Sequence, residues 1–269
     1  MMNWADKVAI VTGGSAGLGY HMAQALLARD ARVTIVGRDR DRLRQARESL
    51  LQGKYPPGSL LTVAADVTAD ADVARIVAES HEQFGRLDLL VNCAGRSMRG
   101  LASQVTVDEM RDLFELNTVA AMRCCQHALP YLRKRQGQII NIGSLASRIA
   151  TPNLGAYPAS KFGLAAYSEQ LRRELGPEGV HVLTVFPGPI SRLDAGARYA
   201  DQTAQMGETA SRPGGSRLKS MSPESLVAGI LKAASRRRAE WMPLKARLFC
   251  LIALCSPKLG DWIARKMTS

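Results

Sequence analysis

Tyr157-Pro158-Ala159-Ser160-Lys161 is the stretch of this chain whose residue types and spacing point most directly to chemistry. Residues four apart lie on one helix face, so the phenol and the ammonium can point into one cleft. A neighbouring cation favours phenolate and lowers a tyrosine pKa from its reference of ~10, which makes Tyr157 a general acid or base usable near neutrality. A bare Tyr-x-x-x-Lys occurs often by chance. This one opens a helix, follows a strand, and lies far downstream of a second chemistry-bearing stretch. That stretch is Thr12-Gly13-Gly14-Ser15-Ala16-Gly17-Leu18-Gly19, which follows an apolar strand and opens a helix. Glycine lets a backbone turn tightly and approach a pyrophosphate, while the helix start offers free N–H groups and a positive dipole end. A strand, glycine turn and helix in that order predict dinucleotide binding.

The elements that must hold these groups follow from hydrophobic patterning. Apolar runs at 8–11, 33–36, 60–64, 87–91, 138–142 and 180–185 read as strands. Between them run helical segments at 17–29, 40–51, around 73–77, from 106 to about 135, and 157–175. Thr106 and Glu109 fit a capping box, Pro130 should kink or end its helix early, and Gly176-Pro177 stops the helix of Tyr157. Continuous apolar strands joined by helices mean a parallel sheet covered on both faces. The fold class is therefore α/β: a single Rossmann-type doubly wound parallel sheet with helices on both faces, plus a C-terminal helical extension. Residues 5–190 contain no linker, repeat or composition break, so residues 1–243 are expected to be one dinucleotide-binding and catalytic domain. Residues 191–220 lose periodicity and form a long loop, a helix restarts at Ser222-Pro223-Glu224, and 244–269 form an amphipathic extension.

Composition narrows the function. Of 269 residues 46% are hydrophobic and 22% charged, which excludes a disordered chain, and 5% aromatics leave a mainly aliphatic core. The formal charge of +12 invites acidic partners such as phosphorylated cofactors, anionic lipid or nucleic acid. No aromatic platform or groove-reading motif accompanies it, so nucleic acid is not predicted. Cys93, Cys124, Cys125, Cys250 and Cys255 form no disulfide framework or metal spacing, which points to a reducing, cytoplasmic compartment. The histidines at 21, 81, 127 and 181 lack ligand spacing, so no metal is expected. The N-terminus lacks a basic leader, and no run approaches the ~20 apolar residues a spanning helix needs.

The second strand ends Val36-Gly37-Arg38, with Asp39 one residue late. A carboxylate there would bind an adenosine ribose, whereas an arginine fork accommodates a 2′-phosphate, so NADP(H) is favoured over NAD(H). Alternatively, Arg38 merely opens the charged helix Arg38-Asp39-Arg40-Asp41-Arg42.

The glycine spacing is T-G-x-x-x-G-x-G, carried by Thr12, Gly13, Gly17 and Gly19, and in this the chain resembles the short-chain dehydrogenase/reductase superfamily over roughly residues 5–243. The resemblance implies that Gly13, Ser15, Gly17, Leu18 and Gly19 hold the cofactor phosphates and that Asp66-Val67 touch the adenine. Asn92-Cys93-Ala94-Gly95 is similar to the family's N-N-A-G, with Cys93 in place of the second asparagine and Asn92, Ala94 and Gly95 beside the cofactor. Pro187-Gly188-Pro189-Ile190 looks like the turn that faces the nicotinamide, although Ser191-Arg192 stand where relatives often carry threonine. Ser144, thirteen positions before Tyr157, matches the family's catalytic serine, and Asn117 its catalytic asparagine. Asparagine is a poor residue for a helix interior, which already hints at a polar task for Asn117.

What this implies is an NADP(H)-dependent oxidoreductase that moves a hydride between nicotinamide and a carbonyl or secondary alcohol. Ser144 would bind the substrate carbonyl and Tyr157 protonate it. Lys161 would lower the Tyr157 pKa and hold the nicotinamide ribose, and Asn117 would support a water chain. A non-catalytic dinucleotide-sensing protein is the alternative, against which the retention of Ser144, Tyr157 and Lys161 counts. A homodimer or homotetramer is expected by the same resemblance.

Substrate identity rests on less. Arginines 192, 198, 212 and 217 with Lys219 could meet an anionic substrate or simply solvate the loop. Between Lys232 and Arg247 six basic residues face Glu240 alone, and the apolar run 248–255 and Leu259, Trp262 and Ile263 follow. Such a tail can seat on anionic lipid, a peripheral membrane contact through 245–269, or pack on the substrate loop or a second subunit. Similar extensions occur in relatives that reduce keto-lipids, which points to a hydrophobic or 3-oxoacyl substrate.

Overall fold

Strand runs in this chain are almost uninterruptedly apolar because both faces of the sheet they form are covered. The computed structural model describes residues 3–191, 199, 203 and 219–268; most of the expected substrate loop, with arginines 192, 198, 212 and 217, lies outside the described residues. The first half alternates β1 (Val8–Thr12), α1 (Gly17–Leu27), β2 (Arg32–Gly37), α2 (Arg40–Leu51), β3 (Leu60–Ala64), α3 (Asp70–Phe84) and β4 (Leu89–Asn92). The second half adds α4 (Val107–Phe114), a π-helical turn (Glu115–Val119), α5 (Ala120–Arg135), β5 (Gln138–Ile142), α6 (Tyr157–Leu175) and β6 (His181–Val185). After the loop come α7 (Pro223–Ser235), β7 (Glu240–Trp241), α8 (Leu244–Cys255) and α9 (Pro257–Thr268).

All seven strands pair in parallel, in the order β3-β2-β1-β4-β5-β6-β7. The order reverses between β1 and β4, and a crevice must open there at the carboxyl ends of the strands. Alternate strand residues feed two cores. Val11, Ile35 and Val91 pack beneath α1, α2 and α7, whereas Ile10, Val36 and Leu90 pack beneath α3, α5 and α6. The chain is a doubly wound α/β fold with two helices added at its C-terminal end.

Local chemistry sets several boundaries. Glu109 N donates to Thr106 Oγ1 at 3.2 Å and Thr106 N donates to Glu109 Oε2 at 2.8 Å, the capping box read from sequence. Ser222 Oγ accepts from Ser225 N at 3.2 Å and starts α7. Pro130, by contrast, neither ends nor interrupts α5, which runs on to Arg135. One missing N–H is offset by burial of Cys125, Ala128 and Leu132 on the same helix, each fully inaccessible. The irregularity falls earlier, at the widened turn that contains Asn117. β7 was not legible as a strand; it is two residues long and exists because Thr184 and Val185 of β6 accept it alongside. Among the described residues no helix is long and apolar enough to cross a membrane, and no His/Cys/Asp/Glu group could hold a metal.

Candidate active site

The crevice at the strand-order reversal is a cleft of about 880 Å³. Its floor at one end is the glycine turn. Gly13 and Gly17 have φ of +67° and +54°, the left-handed region in which glycine is at ease. The turn has no room for side chains at Gly13 or Gly19: a Cβ on Gly13 would stand 3.0 Å from Ala94 Cα, and one on Gly19 only 2.3 Å from the Gly13 carbonyl oxygen. Thr12 then ties this turn to the end of β4, since its Oγ1 accepts from Cys93 N at 3.0 Å and Ala94 N at 3.1 Å. Ala16 precedes α1 without a side-chain acceptor, so the first-turn amides of Gly17, Leu18 and Gly19 line the cleft uncapped by any side chain.

Further along the same wall lie Arg38, Asp66 and Val67. Arg38 Nη1 stands 3.7 Å from Asp66 Oδ2 with 72% of its side chain exposed, an ion pair worth little in water. Asp39 also lines the cleft but serves as the cap of α2: its Oδ1 accepts from Asp41 N and Arg42 N, both at 3.0 Å. Those backbone donors hold the Asp39 carboxyl below its ordinary range. Arg42, which sequence reading passed over, lines the cleft beside Arg38, one helical turn on. Asp66 is kept ionised against its partial burial by Thr68, whose N and Oγ1 donate to Oδ1 at 2.9 and 2.8 Å.

Beyond β4, on the β5–β6 side of the sheet, Ser144, Tyr157 and Lys161 line the same cleft together with Pro187, Gly188 and Ile190. Ser144 follows β5 and accepts from Ala146 N at 3.1 Å, which fixes its hydroxyl at the cleft rim. Tyr157 is the first residue of α6 and half-buried. Lys161, 6% exposed, donates from Nζ to the Ile142 carbonyl at 2.9 Å. Burial pushes its pKa down to about 8. The electrostatics of the phenol differ from the sequence expectation. Packing raises the Tyr157 pKa, and the groups that pull it back are the Ser144 hydroxyl and the Arg99 guanidinium rather than Lys161. Lys161 instead directs its ammonium to the Ile142 carbonyl.

Arg99 was invisible to motif reading. Only 4% exposed, it stacks on Tyr199 with 4.2 Å between guanidinium carbon and ring centre, and donates to Ser97 Oγ and Met98 O at 2.9 Å each. Its backbone is pinned beside the loop that leads into Tyr157, because Gly155 N donates to the Gly100 carbonyl at 2.9 Å.

Two predicted residues stand behind the cleft rather than in its lining. Asn117 is 1% exposed; its Oδ1 accepts from Arg96 N at 3.0 Å, and its Nδ2 donates to Arg96 O at 2.9 Å and Ser160 Oγ at 3.0 Å. It thereby holds the segment after β4 against the first turn of α6, and a Cβ on Gly95 would come within 2.8 Å of its Oδ1. Asn92 is turned away altogether. Its amide donates to Asn141 Oδ1 at 2.9 Å, and Asn141 donates to Ser168 Oγ at 2.8 Å, a buried chain that joins β4, β5 and α6. Its side chain is a strut of the sheet, while Ala94 and Gly95 beside it do line the cleft.

Residues 7–202 match the family model described as short chain dehydrogenase. The chain belongs to the short-chain dehydrogenase family. That family consists of oxidoreductases that bind a nicotinamide dinucleotide and act on small molecules. Among curated relatives, this dehydrogenase is 35% identical over 192 residues to dehydrogenase/reductase SDR family member 7B of Danio rerio, covering 70% of the chain but 62% of that relative's length. It is 29% identical over 242 residues to the ketoacyl reductase HetN of a Nostoc species, covering 89% of the chain and 79% of the relative. A short-chain dehydrogenase structure from Streptomyces avermitilis superposes with a TM-score of 0.77 at 28% identity, over 99% of this chain and 98% of that one.

The residues present fit the dinucleotide the family binds. The left-handed glycines, the uncapped amides of α1 and the guanidinium groups of Arg38 and Arg42 are the donor set a phosphorylated ligand requires.

Proposed function

We propose that this dehydrogenase is an NADP(H)-dependent carbonyl reductase, with a hydrophobic ketone such as a 3-oxoacyl compound or keto-lipid as its substrate. The reading is carried by one observation: Ser144, Tyr157 and Lys161 line the same cleft as the glycine turn. Cofactor choice rests on Arg38 and Arg42 at the adenosine end and on the diversion of Asp39 into helix capping. Leu154, Ile149 and Phe249 give the catalytic end an apolar wall, which agrees with the name of the Nostoc relative.

In this mechanism the turn from Gly13 to Gly19, with Ser15, cradles the phosphates, Asp66 and Val67 flank the adenine, and Ala94, Gly95, Pro187, Gly188 and Ile190 bracket the nicotinamide half. The bound nicotinamide supplies or takes the hydride. Ser144 donates a hydrogen bond to the carbonyl oxygen, and Tyr157 delivers its proton to that oxygen as negative charge develops there. Lys161 would hold the ribose hydroxyls of the bound dinucleotide, and its amine, whose pKa burial has brought to about 8, can exchange a proton near neutrality. Asn117 acts as a positioning residue. The catalytic unit comprises residues 1–243, and the protein works in the cytoplasm as a homodimer or homotetramer, with peripheral membrane contact through 245–269.

Purified protein is assayed for NADPH and NADH oxidation against simple ketones, 3-oxoacyl thioesters and long-chain keto-lipids, with Tyr157→Phe alongside. Turnover with NADPH, abolished in Tyr157→Phe, supports the reading. Tight NADPH binding with neither reduction of any ketone nor oxidation of any corresponding alcohol makes it a dinucleotide-sensing protein instead.

A further inference from the structure

Of the nine large apolar side chains that stand exposed among the described residues, six fall between 244 and 262. Four are on α8: Leu244, Leu248, Leu251 and Leu254 are 82%, 61%, 54% and 81% exposed. Leu244, Leu248 and Leu251 share a helical spacing with the exposed Cys255 and form one stripe, with Leu254 at its border. The other face of α8 is occupied. Phe249 and Cys250 line the catalytic cleft, and Ala253 meets Gly260 of α9 so closely that a Cβ on that glycine would lie 2.8 Å from the alanine Cβ. On α9, Leu259 and Trp262 are three residues apart and 45% and 52% exposed, with Lys266 Nζ 4.7 Å above the Trp262 ring.

A patch of this kind marks an interaction surface, and its charges say which. Lys245, Arg247, Lys258, Arg265 and Lys266 are exposed around it and Asp261 is the one acid of the two helices, a local charge of +4. A second copy meeting the same face about a two-fold axis would set these cations against their own images. An anionic bilayer instead takes the leucines into its headgroup boundary and pairs the lysines and arginines with its phosphates, as basic amphipathic helices do. Trp262 beneath Lys266 is the aromatic–cation pairing of a membrane interface.

We propose that α8 and α9 seat this protein on an anionic lipid surface and that α8, whose inner face is a wall of the cleft, admits a membrane-borne ketone to Tyr157. The seat stands without the carbonyl-reductase reading; the admission of substrate rests on it.

The full chain is sedimented with vesicles of phosphatidylcholine alone and of phosphatidylcholine mixed with phosphatidylglycerol. Two variants are compared, Leu248→Ser/Leu251→Ser/Leu254→Ser and Lys245→Glu/Arg247→Glu/Lys258→Glu; both change exposed residues, and unaltered circular dichroism establishes their folding. The native chain is expected to bind the anionic vesicles in a salt-sensitive way. The leucine variant is expected to lose about tenfold or more in binding, and the charge variant its preference for phosphatidylglycerol. Reduction of a water-soluble ketone should be equal in all three, while reduction of a long-chain ketone dissolved in the vesicles falls with binding. No binding of the native chain, or equal binding by the leucine variant, overturns the seat. A leucine variant that becomes a smaller oligomer by light scattering, without vesicle binding in the native chain, gives the face to a second copy and also overturns it. If vesicles bind but neither ketone is reduced, the reductase reading fails and the seat remains.

Discussion

Asn117 Nδ2 donates to Ser160 Oγ at 3.0 Å, which locks the widened turn between α4 and α5 onto the helix turn between Tyr157 and Lys161. Thr118 Oγ1 reinforces the lock by donating to the Ser160 carbonyl at 2.7 Å. The proton donor of the proposed reaction is therefore aimed by a contact between residues forty-three apart in sequence.

Asn117→Ala leaves the Arg96 N–H and carbonyl without their buried partner and strips one hydrogen bond from Ser160 Oγ, which keeps its donation to the Tyr157 carbonyl. A loss of about 1–3 kcal/mol of stability follows from the orphaned groups. A fall of roughly tenfold or more in kcat is expected from misalignment of Tyr157. Ser160→Ala removes the same contact from the other side and should lower kcat with smaller loss of stability. Urea denaturation and steady-state rates separate the two effects; an Asn117→Ala enzyme with unchanged kcat contradicts the lock.

Tyr157→Phe removes the proton donor while keeping the ring. Turnover should fall by about 10²–10⁴-fold, with dinucleotide affinity, measured by calorimetry, changed little.

Arg99→Met takes away the cation that opposes the burial-raised Tyr157 pKa. The alkaline limb of the kcat/KM profile, which reports the protonated phenol in the free enzyme, should move to higher pH. An unmoved limb shows that Arg99 acts only through packing.

Arg38→Asp should raise the KM for NADPH about tenfold or more and lower that for NADH, since a bidentate phosphate partner becomes a ribose partner. Asp39→Ala is the counterpart. It removes the α2 cap at a cost of about 1 kcal/mol and should leave the NADPH/NADH ratio unaltered. A changed ratio in Asp39→Ala would mean that this carboxylate reads the cofactor after all.

His181 is buried at the start of β6, where Nε2 donates to the Arg238 carbonyl at 3.0 Å. Burial, aided by the nearby Arg237 and Arg172 charges, pushes its pKa down to about 4. The unfolded chain binds a proton near ~6.5 and the folded chain does not. Stability is thus fully present above about pH 6.5 and declines as pH falls to about 4, by about 3 kcal/mol at most from this residue. His181→Asn should flatten the denaturation midpoint across that window.

The strand–turn–helix of Thr12 to Gly19 and the Tyr157–Lys161 pair were legible because local spacing alone dictates their geometry. Ser160 and Arg99 were not, because their meaning comes from distant partners: Asn117 for the first, Tyr199, a hundred residues on, for the second. Asn92 was read by its neighbours in the Asn92-Cys93-Ala94-Gly95 run and proved to face the other way. A usable signal existed, since Asn141 sits beside it in the β4–β5 register, where the amide of one buried asparagine can donate to the side-chain oxygen of the other. Pro130 misled because local rules weigh one lost hydrogen bond, whereas α5 is held by its packed face.

β7 offers only Glu240 and Trp241 before the chain leaves the sheet at Pro243. An outer strand that short, with a proline two residues beyond its end, gives a stray extended peptide almost nothing to template on. Growth of the sheet into an aggregate from this margin is thereby stopped within the protein itself, and the opposite border at β3 is where any such growth would have to start.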